Sequence, residues 1–200
     1  MVDFDLTSAD MIHMLERETA DRRPVVDRLR RQAPVRVLAQ ALRAAEHPLT
    51  RQLLCDLIGF RAARSALPEL LKALEDDDRG VRASAADAIA KALGYGGVRP
   101  APDRLIRRIL PALLTHWERE PTPQVRSVLA TTFAFVGDTS VQPLLQAALD
   151  DPHEQVRLAA EWSLGRLGEA SSKASRRDQG RPDGSADAGF RWCCVLCVSP

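Results

Sequence analysis

Histidine, cysteine and acidic side chains could carry chemistry in this chain, but their spacing matches no catalytic or metal-binding motif. The four histidines lie in separate segments, at His13, His47, His116 and His153. Three cysteines, Cys193, Cys194 and Cys197, crowd the carboxyl end without the paired spacing or the nearby fourth ligand of a zinc site. Phosphate loops, dinucleotide fingerprints and nucleophile elbows do not occur. We therefore predict no catalytic residues, no bound metal and no cofactor.

Composition excludes several further classes of protein. Apolar residues make up 45% of the 200 positions, which is enough for a core, and a net charge of +1 gives no global attraction to nucleic acid or to an anionic membrane. The acidic amino terminus lacks the features of a secretory signal, and no apolar run approaches the ~20 residues of a membrane helix. We predict a cytoplasmic protein without a membrane partner.

A repeated segment predicts the fold. Residues 68–94 read PELLKALEDDDRGVRASAADAIAKALG, and residues 143–168 read PLLQAALDDPHEQVRLAAEWSLGRLG. Both copies place a leucine pair before an acidic turn and a Val-Arg pair after it, followed by small and aliphatic residues at helical spacing. Units of this size cannot bury their own apolar faces and must stack on a neighbour. The pattern therefore predicts an all-α fold of stacked helix pairs.

The spacing of the Val-Arg pairs predicts how many units there are. The pairs begin at Val81, Val125 and Val156, so the intervals are 44 and 31 residues, and Thr50 lies 31 residues before the first pair. The excess of 13 matches an insertion over residues 94–106, where glycines and prolines interrupt the periodicity. We predict an amino-terminal helical cap over residues 1–46, a solenoid of about four units over residues 47–169 and a disordered polar tail over residues 170–200.

These motifs resemble HEAT repeats, in particular the short bacterial type named after phycobilisome lyase subunits, over about two thirds of the chain. The resemblance implies a right-handed α-α superhelix in which the second helix of each pair lines the concave side. It also implies a structural ladder, in which arginines bond toward acids of the turns. The ladder residues would be Arg82, Arg126 and Arg157 with Asp77, Asp78 and Asp151. HEAT-type di-iron hydroxylases need several facing His-Glu pairs, and this chain has the single pair His153-Glu154.

Carried through the second helices, the helical register predicts which side chains face the concave side. One column holds Asp56, Asp87, Thr131 and Trp162, and the next holds Phe60, Lys91, Phe135 and Arg166. The aromatic members could anchor a partner helix or peptide, since aromatic residues dominate interface energetics. Alternatively, neighbouring repeats or terminal segments cover them.

The predicted function is therefore a non-catalytic scaffold that binds a protein or peptide through its concave surface. One alternative is nucleic-acid binding through arginine clusters at residues 22–43 and 99–108, although acidic neighbours and an overall preference for arginine over lysine favour a solvated face. A second alternative, suggested by the repeat subtype alone, is a lyase-like or chaperone-like role toward a prosthetic group.

Overall fold

The computed structural model describes residues 7–17, 22–97 and 100–178, and every regular element in these ranges is helical. The α-helices are α1 (Ser8–Arg17), α2 (Arg23–Gln32), α3 (Val35–Ala44), α4 (Pro48–Phe60), α5 (Leu67–Ala73), α6 (Arg79–Leu93), α7 (Asp103–Arg119), α8 (Pro123–Val136), α9 (Gln142–Ala147) and α10 (Glu154–Asp178). Short 3-10 turns flank α5 and α9. The predicted all-α fold is confirmed for the described part of the chain.

Local side-chain caps explain where several helices begin. The Thr7 hydroxyl accepts from the backbone N–H of Asp10 at 3.2 Å, and the Asp10 carboxylate accepts from the Thr7 N–H at 3.0 Å, which is a reciprocal capping box. The Asp78 carboxylate accepts from the N–H groups of Gly80 and Val81 and so caps α6. Each cap satisfies backbone donors that have no partner inside the helix.

The helices pair into four antiparallel units, each with a first or A helix and a second or B helix. The pairs are α3 with α4, α5 with α6, α7 with α8, and α9 with α10. Each B helix packs along the next, from α4 to α6 to α8 to α10, while contacts between successive A helices are sparse. The B helices therefore form the inner, concave layer. Helices α1 and α2 lie against the first unit.

Equivalent positions of the repeats have equivalent environments. The valines that begin the B helices, Val81, Val125 and Val156, are 0%, 1% and 0% exposed. Small side chains let the B helices approach closely, and α6, which lies between α4 and α8, buries six alanines among its fifteen residues. The predicted stacking of helix pairs is thereby confirmed.

Gly59 has a packing role inside helix α4. The helix α4 continues through Phe60, and Gly59 is buried against α6. A Cβ atom at this position would lie 2.9 Å from both the Cα and the Cβ of Ala88. The glycine is therefore required for the close approach of two B helices.

The carboxyl-terminal helix is longer than the sequence predicts. Helix α10 runs to Asp178, so residues 170–178 are helical and not part of a disordered tail. The reason is that a helix already formed extends at little cost through alanine, lysine and arginine, which have high helix propensity. The remainder of the predicted tail, residues 179–200 with Cys193, Cys194 and Cys197, lies outside the described residues. Within the described ranges, none of the helices combines the length and the apolarity needed to cross a bilayer.

Candidate functional site

An arginine at the start of each B helix donates hydrogen bonds to backbone carbonyls of the turn that precedes the helix. Arg82 donates from Nη1 to the carbonyl oxygens of Asp76 and Asp77 at 2.9 and 3.0 Å. Arg157 does the same to the carbonyls of Asp151 and Pro152 at 2.8 and 3.1 Å. The equivalent contacts of Arg51 and Arg126 reach the carbonyls of Ala45 and Glu120, both at 3.4 Å.

The same arginines hold a carboxylate of the following unit. Arg51 binds Asp76 through Nε and Nη2 at 2.6 and 3.0 Å. Arg82 binds Glu120 through the same two atoms at 2.8 and 2.9 Å. Arg126 binds both carboxylate oxygens of Asp151 through Nη2 at 3.1 and 2.7 Å. These pairs form a continuous ladder that fixes the register between units, the best-supported role for buried ion pairs.

The ladder corrects part of the prediction. Asp151 is a member, but Asp77 contributes only its backbone carbonyl and Asp78 is occupied in capping α6. The carboxylates that bind the arginines are instead Asp76 and Glu120, each six residues before the ladder arginine of its own unit. The physical reason is geometric, because the residue six positions before the ladder arginine of a unit is the one that reaches the arginine of the preceding unit.

The ladder confirms the position of the insertion. Arg51 with Asp76, and Arg126 with Asp151, are 25 residues apart in sequence, whereas Arg82 with Glu120 are 38 apart. The difference of 13 equals the predicted excess. It is taken up by the loop after α6 and by the first helix of the third unit, which has 17 residues in α7 against 7 in α5.

Ion pairing shifts the protonation of the ladder acids. Burial opposes ionisation of Glu120, but hydrogen bonds from Arg82 and Thr122 outweigh it and lower the pKa of this carboxyl. Burial is likewise outweighed at Asp76 by Arg51 and the Asp78 N–H, so its pKa is also lowered. At Asp151, hydrogen bonds from His153 and the charge of Arg126 have the same effect on the pKa. The ladder acids are therefore held in the charged form.

Buried hydroxyls form a second set of contacts between units, which the sequence analysis missed. Thr132 donates to the carbonyl of Ala86 in the preceding B helix at 3.1 Å, and Ser163 donates to the carbonyl of Ala130 at 2.9 Å. Both side chains are 0% exposed. The signal available in the sequence is a hydroxyl six residues after the ladder arginine in the third and fourth units.

On the concave face, the structure brings two of the three predicted aromatic residues together. The ring centroids of Phe135 and Trp162 are 5.9 Å apart, and the Arg166 guanidinium lies 4.4 Å from the Phe135 centroid. Tyr95, which the sequence analysis did not single out, packs edge-on against Phe135 at 5.1 Å. We call Tyr95, Phe135, Trp162 and Arg166 the aromatic cluster.

Phe60 is not part of the aromatic cluster. Its ring is 50% exposed, and the Arg30 guanidinium lies 3.4 Å from the ring centroid. Arg30 belongs to α2, so the amino-terminal cap covers one side of this ring. The predicted alternative, in which a terminal segment covers an aromatic side chain, therefore describes Phe60.

Two acidic residues and a lysine on the concave face form a second group. We call Asp56, Asp87 and Lys91 the acidic cluster. Lys91 pairs with Asp87 at 2.5 Å. Although the Asp56 side chain remains accessible to solvent, burial among the surrounding helices raises its pKa, and the nearby Ser84 and Lys91 only partly offset this. Ser84 is 1% exposed, and its Oγ has no hydrogen-bond partner. Burial therefore disfavours the charged form of Asp56 in the folded chain.

Thr131, the remaining predicted member of the concave columns, lies on α8 and is half-buried. Its hydroxyl donates to the Ser127 carbonyl one turn earlier at 3.0 Å, so it stabilises its own helix. The concave face therefore presents two groups of side chains, the charged acidic cluster and the aromatic cluster.

Some of the predicted basic residues are engaged within the molecule. Arg30 stacks on Phe60, and Arg43 forms an ion pair with Glu69. Arg107, Arg104 and Arg108 are exposed on α7. Arg99 lies outside the described residues. The first arginine cluster is thus partly used for packing on its own protein.

The histidines contact different groups. His47 accepts from the Leu49 N–H at 3.3 Å, His116 lies 3.9 Å from Glu75, and His153 lies 3.2 Å from Asp151. In the described part of the chain, no three His, Cys, Asp or Glu side chains converge as a metal site requires. A cleft of about 560 Å³ opens beside Arg82 and His116, and Arg82 is fully engaged in the ladder.

Two solved structures share the fold. One is an engineered protein with 16% sequence identity and a TM-score of 0.53, which covers 82% of this chain and 80% of that one. The other is the complex of CpcE and CpcF of phycocyanin lyase from Nostoc sp. PCC7120, with 20% identity, a TM-score of 0.53 and coverage of 88% of this chain and 72% of that one. Comparison with curated protein sequences gave no significant match.

The family model for HEAT repeats matches residues 35–109 and 110–175, together more than two thirds of the chain. Its first match begins at residue 35, the start of α3, within the segment predicted as the amino-terminal cap. The chain therefore belongs to the HEAT-repeat family.

Proposed function

We propose that this protein is a non-catalytic scaffold that binds a protein or peptide partner along its concave B-helix face. The observation that carries the proposal is the aromatic cluster, in which Phe135 and Trp162 are half-buried on the inner layer instead of being buried in the core. Rigid aromatic side chains beside an arginine are typical anchors of protein interfaces.

The acidic cluster also favours the concave face as the binding surface. Asp56 lies where burial raises its pKa, which disfavours its charged form. Perturbed groups in a concavity are candidates for contact with a ligand. A partner segment with a basic residue near Asp56 and apolar residues near Phe135 would complement both clusters. Thr131, half-buried on α8, and Phe60, beyond the acidic cluster, complete the proposed surface.

Catalysis is not part of the proposal. The four histidines contact different groups, and an enzyme or lyase-like protein would need acid, histidine or cysteine side chains that converge in one cleft. The likeness to the CpcE and CpcF complex, at 20% identity, concerns the fold alone. Nucleic-acid binding would need a free basic face, and the engagement of Arg30 and Arg43 argues against the first arginine cluster.

Site-specific photocrosslinking tests the proposal. Benzoylphenylalanine replaces Thr131 on the concave face or, as the matched control, the exposed Arg104 on α7. In lysate of the source organism, we expect a discrete adduct from position 131 and none from position 104, and the substitution Phe135→Ala should remove it. Equal adducts at both positions, or an adduct insensitive to Phe135→Ala in a folded variant, would refute the proposed surface.

A further inference from the structure

Arg157, the ladder arginine of the fourth unit, differs from Arg82 in the partners of two donor atoms, Nε and Nη2. Like Arg82, Arg157 donates from Nη1 to backbone carbonyls of the turn in its own unit. In Arg82, Nε and Nη2 go on to bind Glu120 of the next unit. Among the described residues, Nε and Nη2 of Arg157 meet no carboxylate. Within the described ranges, the ladder of arginine–carboxylate pairs therefore ends at Arg157.

Two leucines beside Arg157 are exposed at positions that the second unit buries. Leu149 and Leu158 occupy the places that Leu74 and Ala83 have in the second unit, because the two ladder arginines set the alignment. Leu74 and Ala83 are 3% and 7% exposed, whereas Leu149 and Leu158 are 39% and 51% exposed. The next unit supplies this cover in the interior of the solenoid, since Leu74 lines a cleft together with Ala112 and His116 of α7.

A second copy of this chain does not fit the open position. The ladder acids Asp76, Glu120 and Asp151 each lie six residues before the arginine of their own unit, and the residue six before Arg51 is Ala45. Ala45 is also only 7% exposed. The first unit of another copy would therefore bring no carboxylate to Arg157.

The rest of the α10 surface limits the contact to the turn end of the unit. Glu161 takes the place of Ala86 and Ala130, which are 0% exposed where a following B helix packs on them. Glu161 is itself exposed, and a long charged side chain at this position opposes close packing of another helix along α10. A full additional repeat is disfavoured, while a short turn at the start of the helix is not.

We propose that Arg157, Leu149 and Leu158 form a docking surface for another protein that presents an acidic turn at the start of a helix. The carboxylate of that turn would occupy Nε and Nη2 of Arg157, as Glu120 occupies those of Arg82. An aliphatic side chain beside the carboxylate would cover the two leucines. Charge complementarity and continuity with the interface between repeats both define this occupant.

The probe for this surface is a synthetic peptide copied from residues 110–134, which carries the Glu120 turn that satisfies Arg82 within the fold. The matched control peptide has Glu120→Gln. Titration of the full chain is followed by the Arg157 Nε–H resonance in NMR spectra. We expect this resonance to shift with the acidic peptide, and the control peptide to bind at least about tenfold more weakly, since a charged hydrogen-bond acceptor is lost.

Variants of the protein separate charge from packing. Leu158→Ser should weaken binding of the acidic peptide about fivefold while the Arg157 resonance still shifts at saturation. No shift at millimolar acidic peptide, or equal binding of both peptides, would overturn the proposal. An Arg157 resonance that moves with protein concentration would also overturn the proposal, because it would assign the surface to a second copy. An Arg157 resonance that moves on truncation after Asp178 would overturn it too, because it would assign the surface to the chain's own end.

Discussion

Arg82 binds Glu120 with two hydrogen bonds, from Nε at 2.8 Å and from Nη2 at 2.9 Å, and both side chains are largely buried at 13% and 6% exposure. The remaining donors of Arg82 reach the carbonyls of Asp76 and Asp77 and the Thr122 hydroxyl. One side chain thus joins the second unit to the third across the inserted residues. The first prediction concerns its removal.

Arg82→Gln should lower the free energy of unfolding by about 3 kcal/mol, because it leaves the buried Glu120 carboxylate without its counter-charge. Arg79→Gln, at an exposed position one turn earlier on α6, should change it by less than about 0.5 kcal/mol. Urea unfolding followed by circular dichroism measures both. Adding Glu120→Gln to Arg82→Gln should restore part of the loss, and a double variant no more stable than the single one would contradict the pairing.

Gly59→Ala should destabilise the protein by about 1–3 kcal/mol, because its Cβ would lie 2.9 Å from the Ala88 backbone and force α4 away from α6. The control is Gly165→Ala on α10, where no atom lies within 4 Å of the added Cβ. There, the higher helix propensity of alanine should stabilise by about 0.5–1 kcal/mol. Thermal unfolding should give shifts of opposite sign for the two variants.

Thr132→Val should cost about 1 kcal/mol, because it removes a buried hydroxyl that is shared between the Ala86 carbonyl of the preceding unit and the Val128 carbonyl of its own helix, with little change of volume. Thr115→Val, at an exposed hydroxyl that bonds only within its own helix, is the control and should have a smaller effect. Hydrogen exchange should report the loss mainly in α6 and α8. An equal loss in both variants would mean that the contact between the units contributes nothing.

Acidification should destabilise the ladder. The pKa values of Asp76, Glu120 and Asp151 are lowered in the folded chain, so the unfolded chain takes up protons first as the pH falls. Their contribution to stability is fully present at pH values above the ordinary pKa values, 3.8 for Asp and 4.5 for Glu. It is lost as the pH falls below these values and through the lowered pKa values of the folded chain. The midpoint of urea unfolding should therefore decrease steeply below about pH 4.5. Glu120→Gln should flatten that decrease, and an unchanged slope would contradict the assignment.

Asp56→Asn should raise stability at neutral pH, in contrast to the ladder acids. Burial raises the pKa of Asp56, so its charged form disfavours folding, and the neutral amide removes that penalty. The gain should vanish as the pH falls and Asp56 takes up its proton in the parent protein. Asp103→Asn, at an exposed helix start, is the control and should show no such gain. Urea midpoints at several pH values measure the difference, and a gain that persists in acid would exclude the electrostatic cause.

The sequence by itself determined the repeat. Periodic leucines, the Val-Arg pairs and the prolines at helix starts act over a few neighbouring residues, so they identify helices and units without knowledge of the fold. The excess of 13 between Val81 and Val125 located the insertion for the same reason. The resemblance to HEAT repeats implied the ladder arginines Arg82, Arg126 and Arg157.

Only the tertiary structure decided which side chains meet. Asp76, Asp77 and Asp78 are adjacent and chemically identical, and the direction of the turn selects Asp76 for Arg51. Tyr95 joins Phe135 because the loop after α6 brings it there, and Arg30 stacks on Phe60 because α2 packs beside α4. Such contacts depend on how separate helices are placed relative to one another, and no local pattern of residues carries that information.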